Sequence, residues 1–491
     1  MDIETVAAAA ASAAGPCAAV SPPERATALV AVAAALESAA SRLIPIAIAE
    51  TGLSKDRLEV EMRRTCGQLR LFAEVVVDGA HLDARLDAAD GAYVIGARPD
   101  VRRVLVPVGP VLNFAASNFP FAFSVAGGDS ASALAAGCPV IVKAHPGHPE
   151  LSRATAELVA RALVAADMPD GTFQLAEGEE AGVGLLTDDR IRAATFTGSL
   201  RAGRMLAEIA AARPRPIPFF GELGSVNPVY ITPSAARAET DLAAGFIDSV
   251  SGSAGQLCTK PGFLFMPRGA ELDEIGEHAR RVTEHRMLNG HVGAGYMARR
   301  STVLATPGVT VLAQGSSRQD ADGEWYATPT IVAVDAETLR KHRRELLDEC
   351  FGPLAVVVRY DALTELAGLQ RELFPGNLAG TVHATRGESG EIQPLIAALA
   401  DTCGRVLFGG WPTGVSVTSA MQHGGPFPAA TIDATSVGTA AITRFLRGVA
   451  YQNAPQELLP PPLRDDNPWG VPQRRGPVGT SSRWGTLTGS I

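Results

Sequence analysis

Between residues 108 and 221 short β-branched runs alternate with Ala-rich helical ones: VGPVLNFAA, SVAGGDSASALAAG, PVIVKAH, ELSRATAELVARALVAA, GTFQLAE, AATFTGS, LRAGRMLAEIAAARP and PIPFFGE. Such βαβα order implies a parallel sheet with helices on both faces, and makes this half a candidate dinucleotide-binding fold. At 491 residues the chain exceeds one ordinary core, so two or three domains are expected. Residues 1–50 read as helix, with a break at Gly15-Pro16 and Ser21 as a cap before two prolines. Leu58, Met62, Leu69, Phe72 and Val76 recur at helical spacing in the next segment. Residues 89–108 carry the Gly, Pro and β-branched content of a strand pair. After residue 258 a second α/β region is expected, with a helix at 270–288 and strands near TVLAQ, TPTIVAV and LAVVVRY.

The net charge of −9 argues against a nucleic-acid partner. Cysteines 17, 66, 138, 258, 350 and 403 show no C-x-x-C spacing, so disulfides and a metal centre are not expected, and a reducing, cytoplasmic setting is. The N-terminus carries Asp2 and Glu4 rather than a basic cluster, which reads as neither signal peptide nor membrane span. Basic residues are almost all Arg. The four lysines are Lys55, Lys143, Lys260 and Lys341, and an isolated Lys in such a chain hints that a compact ammonium is wanted.

The stretch Phe219–Gly262 concentrates the chemistry. FFGELGSVNP places Glu222 at the end of an apolar run, and GQLCTKPG places Cys258 among turn residues where a side chain can be presented to a cleft. A thiol there can be a nucleophile, and a carboxylate in a partly dry site can relay a proton and activate water. Together GELGSVNP and GQLCTKPG resemble the two signature segments of the aldehyde dehydrogenase superfamily.

The resemblance extends over residues 20–465. ASNFPFAF looks like the family's oxyanion segment, which implies that Asn118 and the backbone N–H of Cys258 hold a developing alkoxide. PVIVKAHPGHP resembles the strand and loop that hold the adenosine ribose, with Lys143 on that ribose. Three positions on, where NAD-preferring members commonly carry an acid, stands Pro146. With His145 and Arg-rich surroundings nearby, NADP is slightly favoured over NAD. Gly198-Ser199 closes a strand and opens a helix, which implies a pyrophosphate contact. DECFGP resembles the family's E-x-F-G-P, so Glu349 is expected on the nicotinamide ribose and Phe351 near the ring. PTGV, MQHGGPFPA and TSVGTAAITRFLR look like the branch containing 2,5-dioxovalerate (α-ketoglutarate semialdehyde) dehydrogenases and NADP-linked fatty-aldehyde dehydrogenases.

The resemblance implies an aldehyde-dehydrogenase-like α/β fold: a parallel-sheet coenzyme domain from 1–88 and 108–221, a catalytic domain at 222–447, and a small strand-based oligomerisation element at 89–107 and 448–491. It implies a homodimer or homotetramer. The tail beyond Asn467 departs from the family's ending and reads as flexible polar sequence. The implied chemistry is attack of Cys258 on an aldehyde, transfer of hydride to nicotinamide, and hydrolysis of the thioester by water that Glu222 activates. Arg64, where an apolar residue commonly sits, can grip a terminal carboxylate, with Gln68 one turn on and Phe119 on the access tunnel. The substrate expected on that basis is α-ketoglutarate semialdehyde. Were Arg64 a solvated helix-face residue, a broader medium- or long-chain aldehyde dehydrogenase would be the reading. A non-catalytic binding relative of the fold and a coenzyme-free esterase acting through Cys258 stay open as well.

Overall fold

The computed structural model describes residues 2–412 and 414–484. Five all-parallel strands lie in the order Phe173–Ala176, Val140–Lys143, Val111–Phe114, Ala193–Thr197, Phe219–Glu222. Their crossovers include helices Gly128–Ala136, Pro149–Ala165, Glu179–Thr187 and Leu200–Ala212. Every residue of Val111–Phe114 and of Val140–Lys143 is buried, as a sheet covered on both faces requires. The order reverses between Val111–Phe114 and its two neighbours, so a crevice for ligand opens at the carboxyl ends of these strands. Lys143, Gly198 and Glu222 all stand at that edge.

A second sheet has seven strands, in the order Thr310–Ala313, Thr330–Asp335, Leu354–Tyr360, Phe263–Pro267, Pro228–Ile231, Asn377–His383, Cys403–Phe408. Only the Thr310–Ala313 edge runs antiparallel. One face packs with helices Leu363–Leu373 and Gln393–Thr402, the other with helices Leu242–Ser251 and Asp273–Arg281. Helix Lys55–Asp78 buries Leu58, Met62, Leu69, Phe72 and Val76, the positions its spacing marks.

Four expectations need correction. Helix Ile3–Ala19 runs through Pro16 instead of breaking, because Pro16 sits in the last turn and costs little beyond one terminal hydrogen bond. The 270–288 helix is only Asp273–Arg281; the β-branched Val282-Thr283 leads into a short strand, His285–Arg286, paired with Tyr326–Ala327. In the 89–108 segment one strand forms, Val101–Pro107. Its partners are Ala84–Asp87 and Leu446–Gln452, while Asp90 and Arg98 make only an isolated bridge. The tail is not free polar sequence throughout: Gln473–Gly476 pairs in parallel with Ala84–Asp87, and Val471 joins an apolar cluster with Leu82, Leu86, Leu459 and Leu463. Thr413 of the PTGV motif and residues 485–491 of the tail lie outside the described residues.

Candidate active site

Helix Leu242–Ser251 delivers the chain to a tight passage. Ser253 and Ala254 take left-handed φ of 51° and 55°, and Gly255 one of 67°, where an added Cβ would meet the Gly352 carbonyl carbon at 2.4 Å. Gln256 then locks the loop, its side-chain oxygen accepting from the Leu288 N–H at 2.9 Å. Asn227 Nδ2 donates to the carbonyls of Cys258 (2.8 Å) and Lys260 (3.0 Å). Lys260 Nζ donates to the carbonyls of Cys350 (2.9 Å) and Leu354 (2.7 Å). Of the six cysteines, five are buried and Cys258 alone is partly exposed.

Beside Cys258 stand three side chains. His423 Nε2 is 3.6 Å from Cys258 Sγ and 2.9 Å from Glu222 Oε1, although Oε1 has no well-aligned hydrogen bond. Ser436 Oγ donates to Glu222 Oε2 at 2.5 Å, and its N–H donates to the His423 carbonyl at 2.8 Å. Burial pushes the Cys258 thiol well above its ordinary range, and the facing Glu222 carboxylate adds to the effect. For Glu222, burial works toward the protonated form, but His423, the Ser436 hydroxyl and the Cys258 thiol outweigh it and hold the carboxyl below its ordinary value. The resting pair is therefore a protonated thiol beside an ionised carboxylate. The ligand atoms of Glu222, Cys258 and His423 lie within 4.8 Å of one another, a spacing that a thiophilic cation can also bridge.

In the sequence, His423 and Ser436 stand only inside the branch-marking motifs, with no chemical role of their own. The one local signal for His423 is its setting, one of nine histidines placed among Gly and Pro, where a side chain is more often displayed than packed.

The segment around Asn118 is clamped to helix Lys55–Asp78. Glu61 Oε1 accepts from the N–H groups of Phe121 (2.8 Å) and Ala122 (2.9 Å), while Arg57 joins Glu61 Oε2 (2.7 Å) to the Asn118 carbonyl (2.9 Å). Asn118 Nδ2 donates to the Gln256 carbonyl at 3.1 Å, which brings it against the Cys258 loop with one amide N–H still to place. Arg64 lies 5.9 Å from the Phe119 ring centre and 5.4 Å from that of Phe123, and Phe123 in turn is 6.3 Å from the His423 ring. Its Nε and Nη2 are buried without a partner. Gln68 is buried too, its unpartnered Nε2 beside Gly128.

The residues expected to hold a coenzyme fall in two groups. Lys143 ends its strand with an ammonium that makes no hydrogen bond to a described residue, and burial lowers its pKa. Gly198 donates its N–H to the Glu222 carbonyl at 3.1 Å, and Ser199 caps the following helix through Oγ at 3.3 Å from the Ala202 N–H. From the second sheet, Glu349 crowds Gly224: a Cβ there would meet Glu349 Oε2 at 2.4 Å. Burial raises the Glu349 carboxyl to about 7 despite Lys260. Phe351 is half-buried and packs on the core of the first sheet. The Lys143 ammonium and the Glu349 carboxyl that lies against Gly224 suit the ribose hydroxyls of a nucleotide. His145 fits the favoured 2′-phosphate less well: burial takes it down to about 3, so it is neutral, and its Nδ1 accepts from the Gly147 N–H at 3.0 Å.

A sequence profile described as "Aldehyde dehydrogenase family" matches residues 1–380. The chain is 42% identical over 466 residues to alpha-ketoglutaric semialdehyde dehydrogenase 2 of Azospirillum brasilense, covering 92% of this chain and 86% of that protein. It is 40% identical to alpha-ketoglutaric semialdehyde dehydrogenase of Acinetobacter baylyi, with coverages of 91% and 85%. Among solved structures, lactaldehyde dehydrogenase from Escherichia coli superposes with a TM-score of 0.78 at 20% identity, over 91% of this chain and 90% of that one. That likeness bears on the fold alone.

Proposed function

The chain belongs to the aldehyde dehydrogenase family, whose members oxidise aldehydes with NAD(P), and from that premise we propose that its substrate is α-ketoglutarate semialdehyde and its product 2-oxoglutarate. The observation that carries the substrate is Arg64: a guanidinium flanked by Phe119 and Phe123, with two buried N–H groups unmatched in the protein. Leaving such donors unpaired costs about 1–3 kcal/mol each, and a substrate carboxylate removes that cost bidentately. The two relatives named for this semialdehyde support the reading.

In the proposed mechanism the Cys258 proton passes to the buried Glu222–His423 pair, and from it to solvent, as Sγ attacks the aldehyde carbon. The second amide N–H of Asn118 and the Cys258 N–H receive the alkoxide. A nicotinamide coenzyme, when bound, would supply the acceptor for the hydride of the substrate carbon. Lys143, Gly198, Ser199, Glu349 and Phe351 are the residues that would hold it. Glu222, ionised and oriented by Ser436, then draws a proton from water attacking the thioester, and the acid leaves with Cys258 restored. NADP is the favoured coenzyme because Pro146 sets no carboxylate against a 2′-phosphate.

A homodimer or homotetramer is assigned to the four-stranded sheet, which ends in the edge strand Leu446–Gln452. The buried free thiols accord with a cytoplasmic location. Arg64→Met tests the substrate: KM for α-ketoglutarate semialdehyde should rise about tenfold or more, the worth of a charge-assisted pair, with pentanal unaffected. An equal effect on both aldehydes would return Arg64 to a structural role and favour the aliphatic reading.

A further inference from the structure

Several arginines have buried nitrogens without a partner, but Arg25, Arg213 and Arg286 spend other N–H groups on backbone carbonyls. Two do not. Arg64 and Arg405 each leave Nε and Nη2 buried and donate to no described residue. They come from unrelated elements, Arg64 from helix Lys55–Asp78 and Arg405 from strand Cys403–Phe408.

Arg405 is tied to the site by its neighbours. Its register partner is Ala379, whose N–H donates to Asn227 Oδ1 at 3.1 Å. The same Asn227 holds the Cys258 carbonyl. Val406, the next residue, packs into the core beneath helices Leu363–Leu373 and Gln393–Thr402. Val406 pairs with Gly380, where an added Cβ would meet Leu399, so that side faces helix Gln393–Thr402. Alternation turns Arg405 to the opposite face, the one covered by the helix Leu242–Ser251 that leads into the Cys258 loop. Gly404, one residue earlier, abuts the Gly424 carbonyl next to His423. The charges of both arginines are near enough to Cys258 to interact with it.

We infer that Arg405 is a second substrate anchor, and that Arg64 and Arg405 together grip the 2-oxo-acid end of the substrate. A 2-oxo acid offers three oxygens in one plane. The Arg64 fork takes the carboxylate, while Arg405 takes the 2-oxo oxygen and the carboxylate oxygen beside it. An uncharged aldehyde satisfies neither, and a simple ω-oxo acid satisfies one. This rests on the substrate reading above and sharpens it from a carboxylated aldehyde to a 2-oxo acid.

The test is steady-state kinetics of the full chain and of Arg405→Met and Arg405→Lys on three aldehydes: α-ketoglutarate semialdehyde, 5-oxopentanoate (the same chain without the 2-oxo group) and pentanal. For Arg405→Met, KM for the 2-oxo acid should rise about tenfold or more, that for 5-oxopentanoate by less, and that for pentanal not at all, with kcat little changed. Arg405→Lys should recover part of the loss. In parallel, 2-oxoglutarate should protect Cys258 of the unaltered protein from iodoacetamide and protect Arg405→Met poorly; this protection needs no turnover. An equal effect on all three aldehydes, or undiminished protection, would overturn the inference. If the unaltered protein prefers the 2-oxo acid yet Arg405→Met leaves its KM unchanged, only the second anchor fails. If the unaltered protein prefers pentanal, the substrate reading itself fails.

Discussion

At the scale of single residues the site is an electrostatic arrangement around one sulfur. The Cys258 thiol is held protonated by burial and by Glu222, and Glu222 is held ionised by His423 and Ser436. A raised thiol pKa means that alkylation of Cys258 by iodoacetamide should accelerate as pH rises from neutrality, because only the thiolate reacts. Glu222→Gln removes the facing negative charge, so alkylation at pH 8 should become faster while steady-state turnover slows and an acyl-enzyme burst appears. Slower alkylation, or loss of burst and turnover together, would remove Glu222 from its hydrolytic role. Cys258→Ala should abolish oxidation. His423→Gln should suppress the burst itself, and a full burst in that variant would relieve His423 of the proton. Glu222 and Cys258 were legible from their own motifs. His423 was not, because its partner lies 165 positions away and nothing local distinguishes a displayed histidine from a ligating or packed one.

At the scale of elements, the central parallel strands were legible because they are short β-branched runs buried on both faces, as in Val140–Lys143 and Leu354–Tyr360. What the sequence hid were balances between local and distant terms. Pro16 looked like a break, yet it falls in a last turn where little is lost. Residues 282–288 looked helical by continuation, but pairing with Tyr326–Ala327 draws His285–Arg286 into a strand. Glu388 shows how such distant terms fasten elements. Its carboxylate accepts from Thr232 Oγ1 (2.6 Å) and the N–H of Ser234 (3.1 Å), at the start of helix Pro233–Ala238, and from the Thr385 N–H (3.1 Å). Burial alone would raise its pKa, but these donors bring it down to about 2. A carboxylate depressed in the folded state stabilises it fully above the ordinary value near 4.5, and that contribution is lost as pH falls from there toward 2. Glu388→Gln should therefore destabilise the protein at pH 7 by about 1.5–3 kcal/mol, the worth of hydrogen bonds to a charged group. It should also flatten the acid limb of the Tm profile between those two values. An unchanged acid limb would mean that Glu388 is not ionised in this setting.

At the scale of the whole molecule, two sheets meet at the Cys258 loop: the first brings Glu222 at its carboxyl edge, the second Glu349, Arg405 and the strands that pin the loop. The small four-stranded sheet is closed on one side by the chain's own tail, since Gln473–Gly476 covers Ala84–Asp87. Removing residues 468–491 should uncover that edge and the cluster around Val471, lowering Tm and promoting aggregation, with kcat of the remaining folded enzyme little changed. A truncated protein of unaltered Tm would mean the strand contributes nothing to stability. The match between this chemistry and one class of aldehyde is tested most directly by the rate of NADPH and NADH formation, measured on the purified protein with α-ketoglutarate semialdehyde and pentanal side by side. A higher kcat/KM for the semialdehyde, with NADPH formed faster than NADH, is the predicted result; preference for pentanal would contradict it.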